Sequence, residues 1–299
     1  MLLELLLSML ATAHMLAGGL AAVAPLGVAA GRVLRHDDGG QVEGALRQVA
    51  WLSIVALVVA AVLGLAAGYF RYTLGGSDYG QMLERFPMRF YVITLLEWLF
   101  ALLCYTAWYG SWSWGGRHPW WHLLLATVGA TNLLYHFPPL MVLQRILTER
   151  PDTITADIVT RGHTLGVILS GEVVAHTLHF YALAAGFSCA TTLWLTTRDG
   201  ALSTLRRMAG WGGLGATVAQ ILTGVALVVL IPGDDASHVT GRNVFGTLCL
   251  VGTIGVAIAL VVSYARIALQ PDDATRWRRP AYLTVVGSLL MSMAVRVVS

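Results

Sequence analysis

The residues of this chain that could do chemistry are histidines and acids set inside apolar stretches. His14, Glu97, His136, His176 and His179 each fall in a run of hydrophobic residues. Such side chains ligate haem iron or other metals, or carry protons. Placing one in hydrocarbon costs on the order of 2–3 kcal/mol unless something binds or pairs it. Glu172-Val-Val-Ala-His176-Thr-Leu-His179 is the densest stretch. Positions i, i+4 and i+7 share a helix face, so Glu172, His176 and His179 form one stripe. The stripe offers an iron or metal ligand beside a proton or propionate partner. Hydrogen bonding between helices, which membrane proteins use as glue, is the other reading. Glu97 lies in ITLLEWLFALL, where a carboxylate either takes up a proton or meets a cation or iron. His136 stands beside Pro138-Pro139, a pair expected to break or kink its helix, with Asn132 one turn before. Met291 and Met293 are candidate thioether ligands.

Spacing narrows the cofactor. Di-metal helical bundles need repeated Glu-x-x-His pairs and further carboxylates, and zinc proteases need H-E-x-x-H; the chain has neither. A haem asks for only one or two axial His or Met side chains on facing helices, which single histidines spread over several helices can supply. Cys104, Cys189 and Cys249 form no C-x-x-C, so covalent c-type haem attachment and a thiolate zinc site are not expected. WGGLGATVAQILTG (211–224) and GLAAG (64–68) read as small-residue faces for close helix approach, carrying no chemistry of their own.

The elements that must position these groups follow from composition. The 299 residues are 57% hydrophobic and 12% charged, against about 25% charged in soluble domains. This is the composition of an integral membrane protein. Every basic residue is arginine, and the net charge of +3 implies no nucleic-acid partner. About 20 apolar residues span a bilayer, which predicts eight crossings at roughly 5–30, 50–70, 90–111, 121–147, 167–196, 209–231, 244–268 and 281–298. The joining segments are short, so residues 1–299 form a single all-α transmembrane bundle. The N-terminal stretch lacks a positive n-region and reads as a retained first helix.

Arginines gather in the loops after the first, third, fifth and seventh segments, most clearly in TLRR and RWRR. Positive charge stays inside, so both termini are expected outside, on the periplasmic face of an inner (cytoplasmic) membrane. Trp112, Trp114, Trp120 and Trp121 read as an interfacial belt. At about 1.5 Å per residue, His14, Glu97, His136, His176 and His179 then fall in the outer half of the bilayer, with Met291 and Met293. His122 falls near the inner face, and His163 belongs to a loop.

In order, these features resemble subunit I of cytochrome bd-type terminal oxidases. ATAHMLAGGLAAVAPLGVAAG holds His14 where the family has a first-helix haem-ligating histidine. GLAAGYFRYTLGGSDYGQML is similar to its glycine-rich exit from the second helix. PMRFYVITLLEWLFALLCYTAWYGSW holds Glu97 where the family keeps glutamates near its high-spin haems. ATNLLYHFPPLMVLQ stands in place of an Asn-containing helix. VVAHTLHFYALAAG holds His176 where the family has the histidine of its low-spin b haem. The likeness covers about residues 1–231, and the helices at 244–298 diverge. Only DDASHVTGRN remains of the family's quinol-binding loop. RNVFGTLCLVGTIGV lacks the family's haem-ligating methionine, and its Gly-Arg-Gln-Pro-Trp motif has no counterpart.

The resemblance implies a haem-b-binding membrane subunit of a respiratory complex, with one or more b haems and haem d as an alternative. His14 and His176 would be metal ligands and Glu97 a catalytic haem-side carboxylate. His136, His179 and Met291 would be further cofactor contacts. With the quinol loop missing, electrons are expected from a c-type cytochrome or iron–sulfur partner on the outer side. Oxidoreductase activity of the bd type is open, beside a haem-free assembly subunit and a proton or small-solute carrier.

Overall fold

The computed structural model describes residues 2–34, 41–74, 77–113, 119–196, 202–230, 241, 243–273 and 277–296. Trp114 and most of the DDASHVTGRN segment lie outside them. The described residues contain ten α-helices: α1 (Leu2–Leu34), α2 (Gln41–Leu74), α3 (Ser77–Glu84), α4 (Met88–Gly110), α5 (Pro119–Glu149), α6 (Arg161–Ile168), α7 (Gly171–Leu195), α8 (Ser203–Leu230), α9 (Val244–Leu269) and α10 (Arg279–Arg296). No strand occurs among them.

The eight long helices match the eight expected segments, but only α1, α2, α4, α7, α8 and α9 are long and apolar enough to cross a membrane. Among the described residues, six of the eight expected crossings thus meet that measure. The other two are more polar for visible reasons. α5 carries His122, Asn132, His136, Gln144 and Arg145, and α10 is bracketed by Arg279 and Arg296. Both pack within the same bundle, α5 against α1, α4 and α7, and α10 against α1, α7 and α9. The chain is a multi-pass helical membrane protein. The short helices α3 and α6 lie in stretches whose sequence reads as loop. Thr160 caps α6 in a box with His163, and Leu169–Ser170 separates α6 from α7. The fifth long helix thus begins at Gly171, where the Ser170 side chain accepts from the Val173 N–H at 3.4 Å.

Consecutive long helices run antiparallel, as paired glycine contacts show. On α1, Gly18 meets Ala60 and Gly31 meets Leu46 of α2. Gly186 and Gly171 of α7 meet Ala216 and Leu230 of α8. Gly210 and Gly213 of α8 meet Ala268 and Tyr264 of α9, and Gly252 of α9 meets Leu290 of α10. A methyl at Gly210 would lie 2.7 Å from the Ala268 backbone nitrogen, so the missing side chain is what lets these backbones approach. α1 lies at the centre, in contact with α2, α5, α7 and α10.

Two helices continue unbroken through prolines. α5 continues across the buried Pro138 and Pro139, and α1 across Pro25, so the expected break at Pro138-Pro139 does not occur. A proline at position i withdraws the N–H that would bond the carbonyl at i−4. Pro138 thereby frees the Leu134 carbonyl, and Pro25 frees that of Ala21. Each is taken by a tyrosine from another helix: the Tyr181 hydroxyl donates to Leu134 O at 2.6 Å, and the Tyr105 hydroxyl to Ala21 O at 2.7 Å. At these two carbonyls the lost helix bond is replaced from outside.

Candidate functional site

Hydrogen bonds between helices tie His14, Glu97, His136 and His179 into one band, with His176 beside it on the helix of His179. His14 Nδ1 lies 2.8 Å from the Ala60 carbonyl of α2. Within a turn of Ala60, the Leu57 carbonyl accepts from Trp98 Nε1 of α4 at 3.4 Å. The neighbouring Glu97 is held twice by α5: its carbonyl accepts from Asn132 Nδ2 at 2.9 Å, and its carboxylate pairs with His136 Nδ1. Two residues before His136, Leu134 receives Tyr181 of α7. His179, half a turn from Tyr181, places Nδ1 3.1 Å from the Thr223 hydroxyl of α8. His176 lies one turn before His179, its Nδ1 3.0 Å from the Glu172 carbonyl.

The partners fix the tautomers. A carbonyl oxygen only accepts, so Nδ1 of His14 and of His176 carries the proton. The Thr223 hydroxyl donates to Ala219 O at 2.8 Å, which leaves it to accept from His179. In the neutral imidazoles of His14, His176 and His179 the lone pair is therefore on Nε2. An N–H anchored on a carbonyl or carboxylate, with the other nitrogen left bare, is the arrangement that metal-ligating histidines use.

Glycines shape two of the seats. A methyl at Gly64 would lie 2.7 Å from His14 Cε1, and one at Gly224 would lie 3.3 Å from His179 Cε1. These belong to the two stretches read from sequence as bare packing faces. That reading is corrected: Gly64 and Gly224 make room for imidazoles. Asn132, Trp98, Tyr181 and Thr223 are also members of the band, and of these the sequence had pointed only to Asn132. A polar side chain midway along an apolar helix was their one available signal.

The Glu172 carboxylate accepts from Arg150 at 2.6 Å, at the mouth of α7, while its carbonyl holds His176. Glu172 serves α5's end, and His179 serves α8. Met291 is half-buried on α10. Of the expected belt, Trp112 is buried within the bundle, beneath Arg32 and against Trp108 and His122; Trp120 and Trp121 are exposed. Among the described residues, no three His, Cys, Asp or Glu side chains group to hold a metal ion by themselves.

No family model matches the chain, and no curated protein matches it. The fold is similar to a chain in the structure of the bd oxidase from Geobacillus thermodenitrificans, with TM-score 0.66 and 12% identity over 99% of this chain and 84% of that one. The likeness is one of fold, and it runs on through the helices after residue 231.

Proposed function

We propose that the chain is a haem-b-binding membrane subunit that passes electrons within a respiratory complex built on a bd-oxidase-like fold. One observation carries this reading: histidines from three helices lie in one band of the bundle, each with Nδ1 held by a partner from the protein. The donor set fits a haem better than a bare metal ion, since a haem needs only one or two protein ligands. His176 and His14 are the proposed iron ligands on separate helices, for one or more b haems, with haem d the alternative at the second. A haem would supply reversible one-electron chemistry at its iron.

The protein's part is to orient and to hold protons. Anchoring Nδ1–H on Glu172 O or Ala60 O fixes each ring and makes Nε2 a stronger donor. Glu97, gripped by Asn132 and His136, is the proposed haem-side carboxylate. His136, His179 and Met291 are further contacts. Partner membrane subunits are proposed, with a c-type cytochrome or iron–sulfur donor on the outer face of the inner membrane.

The test is a reduced-minus-oxidised spectrum of the purified chain with a pyridine haemochrome count. Pigment is expected, with less haem per chain in His176→Ala. A colourless preparation, or an unchanged count in His176→Ala, overturns the reading. The former outcome would favour a haem-free scaffold in which the same histidine bonds serve as glue between helices.

A further inference from the structure

Several buried hydroxyls in this bundle bond back onto their own helix. Ser53, Ser188, Thr217, Ser263 and Thr284 each donate to the carbonyl four residues back. Thr12, Thr177 and Ser288 do not: they are 3%, 8% and 7% exposed, and their hydroxyl oxygens have no hydrogen-bond partner. They come from α1, α7 and α10, three helices in mutual contact.

Register sets the three at one level. Gly19 of α1 meets Ala184 and Phe180 of α7. The two helices run parallel, so seven residues back on each come Thr12 and Thr177, on the same faces. Ser292 Oγ of α10 lies 3.4 Å from the Ser8 carbonyl of α1. These helices run antiparallel, and one turn inward on each pairs Ser288 with Thr12. A second route agrees. Passing from Thr177 through the α7–α8, α8–α9 and α9–α10 glycine contacts arrives within two residues of Ser288.

We propose that Thr12, Thr177 and Ser288 bind an internal water, the deep end of a hydroxyl file that admits water and protons to the histidine band. An internal water typically makes about three hydrogen bonds to buried polar groups that lack other partners, which is what this junction offers. Ser8 and Ser292 continue the file by one turn toward the end of the bundle where α1 begins. At the deep end His176 directly precedes Thr177, and His14 follows Thr12 by two residues. The file needs no haem, so it stands apart from the proposed cofactor.

Radiolytic footprinting of the whole chain in detergent tests this, because hydroxyl radicals formed from bound water modify the side chains beside it. Met291, one turn beyond Ser288, is the reporter and the exposed Met88 the control. Thr12→Val/Thr177→Val/Ser288→Ala is expected to lower modification of Met291 by roughly threefold or more, with Met88 unchanged and Thr12→Ser like the parent. If the triple variant does not fold, Ser288→Ala alone is expected to lower it in the same direction. Equal Met291 modification in the parent and the variants overturns the proposal, as does a parent in which Met291 goes unmodified.

Discussion

A carbonyl freed by proline inside a membrane has no bulk water to turn to, and in this chain two of them, those of Ala21 and Leu134, turn to tyrosine. Tyr181→Phe and Tyr105→Phe should each destabilise the protein by about 1–3 kcal/mol, the cost of leaving a buried acceptor unpaired; denaturant unfolding in detergent would show it. A loss below about 0.5 kcal/mol, the low end for an intramolecular hydrogen bond, would mean that the carbonyls find another donor. Gly64→Ala brings a methyl against the His14 ring. If His14 holds a haem, this variant should lose pigment from that site while keeping the share held by His176, read as a fall in haem per chain without loss of folded protein. The histidines were legible in sequence because a polar residue is conspicuous against an apolar background. Their seats were not: Gly64 reads the same whether it meets an imidazole or a backbone. The tyrosines were hidden for a related reason, since nothing local to Tyr181 says that Leu134, 47 positions away, lacks a donor.

Among the elements, α5 is the least apolar of the helices that reach the band. Its polar residues are spent on neighbours: Asn132 and His136 on α4, and the Leu134 carbonyl on α7. We expect it to cross the membrane despite its composition. Reporter fusions after Ser113 and after Arg150 should fall on opposite sides, and a same-side result would show α5 to be re-entrant. The positions of the long helices were legible because a membrane demands an apolar stretch of fixed length. α3 and α6 were not, since eight mixed residues carry too little periodicity to stand out. The split between α6 and α7 was hidden as well, because Leu169 and Ser170 prolong the apolar run that the helix itself does not follow.

At the scale of the whole molecule, a chain only 12% identical to a bd oxidase chain keeps its fold over 99% of its length. What persists at that distance is the arrangement of the helices. If α5 and α10 both cross, both ends of the chain lie on one side of the membrane, and cysteine labelling of intact vesicles at Leu2 and Arg296 should report the same side. A consequence for biogenesis follows from the contact between Ser8 and Ser292, which lie 284 positions apart. The central helix is made before the helix that closes over it. Until α10 is made, α1 must therefore wait in the bilayer with the Ser8 side of one polar face uncovered. A chain stalled before α10 carries that open face as a visible defect, so stalled chains should be degraded faster than full-length ones in a pulse-chase experiment.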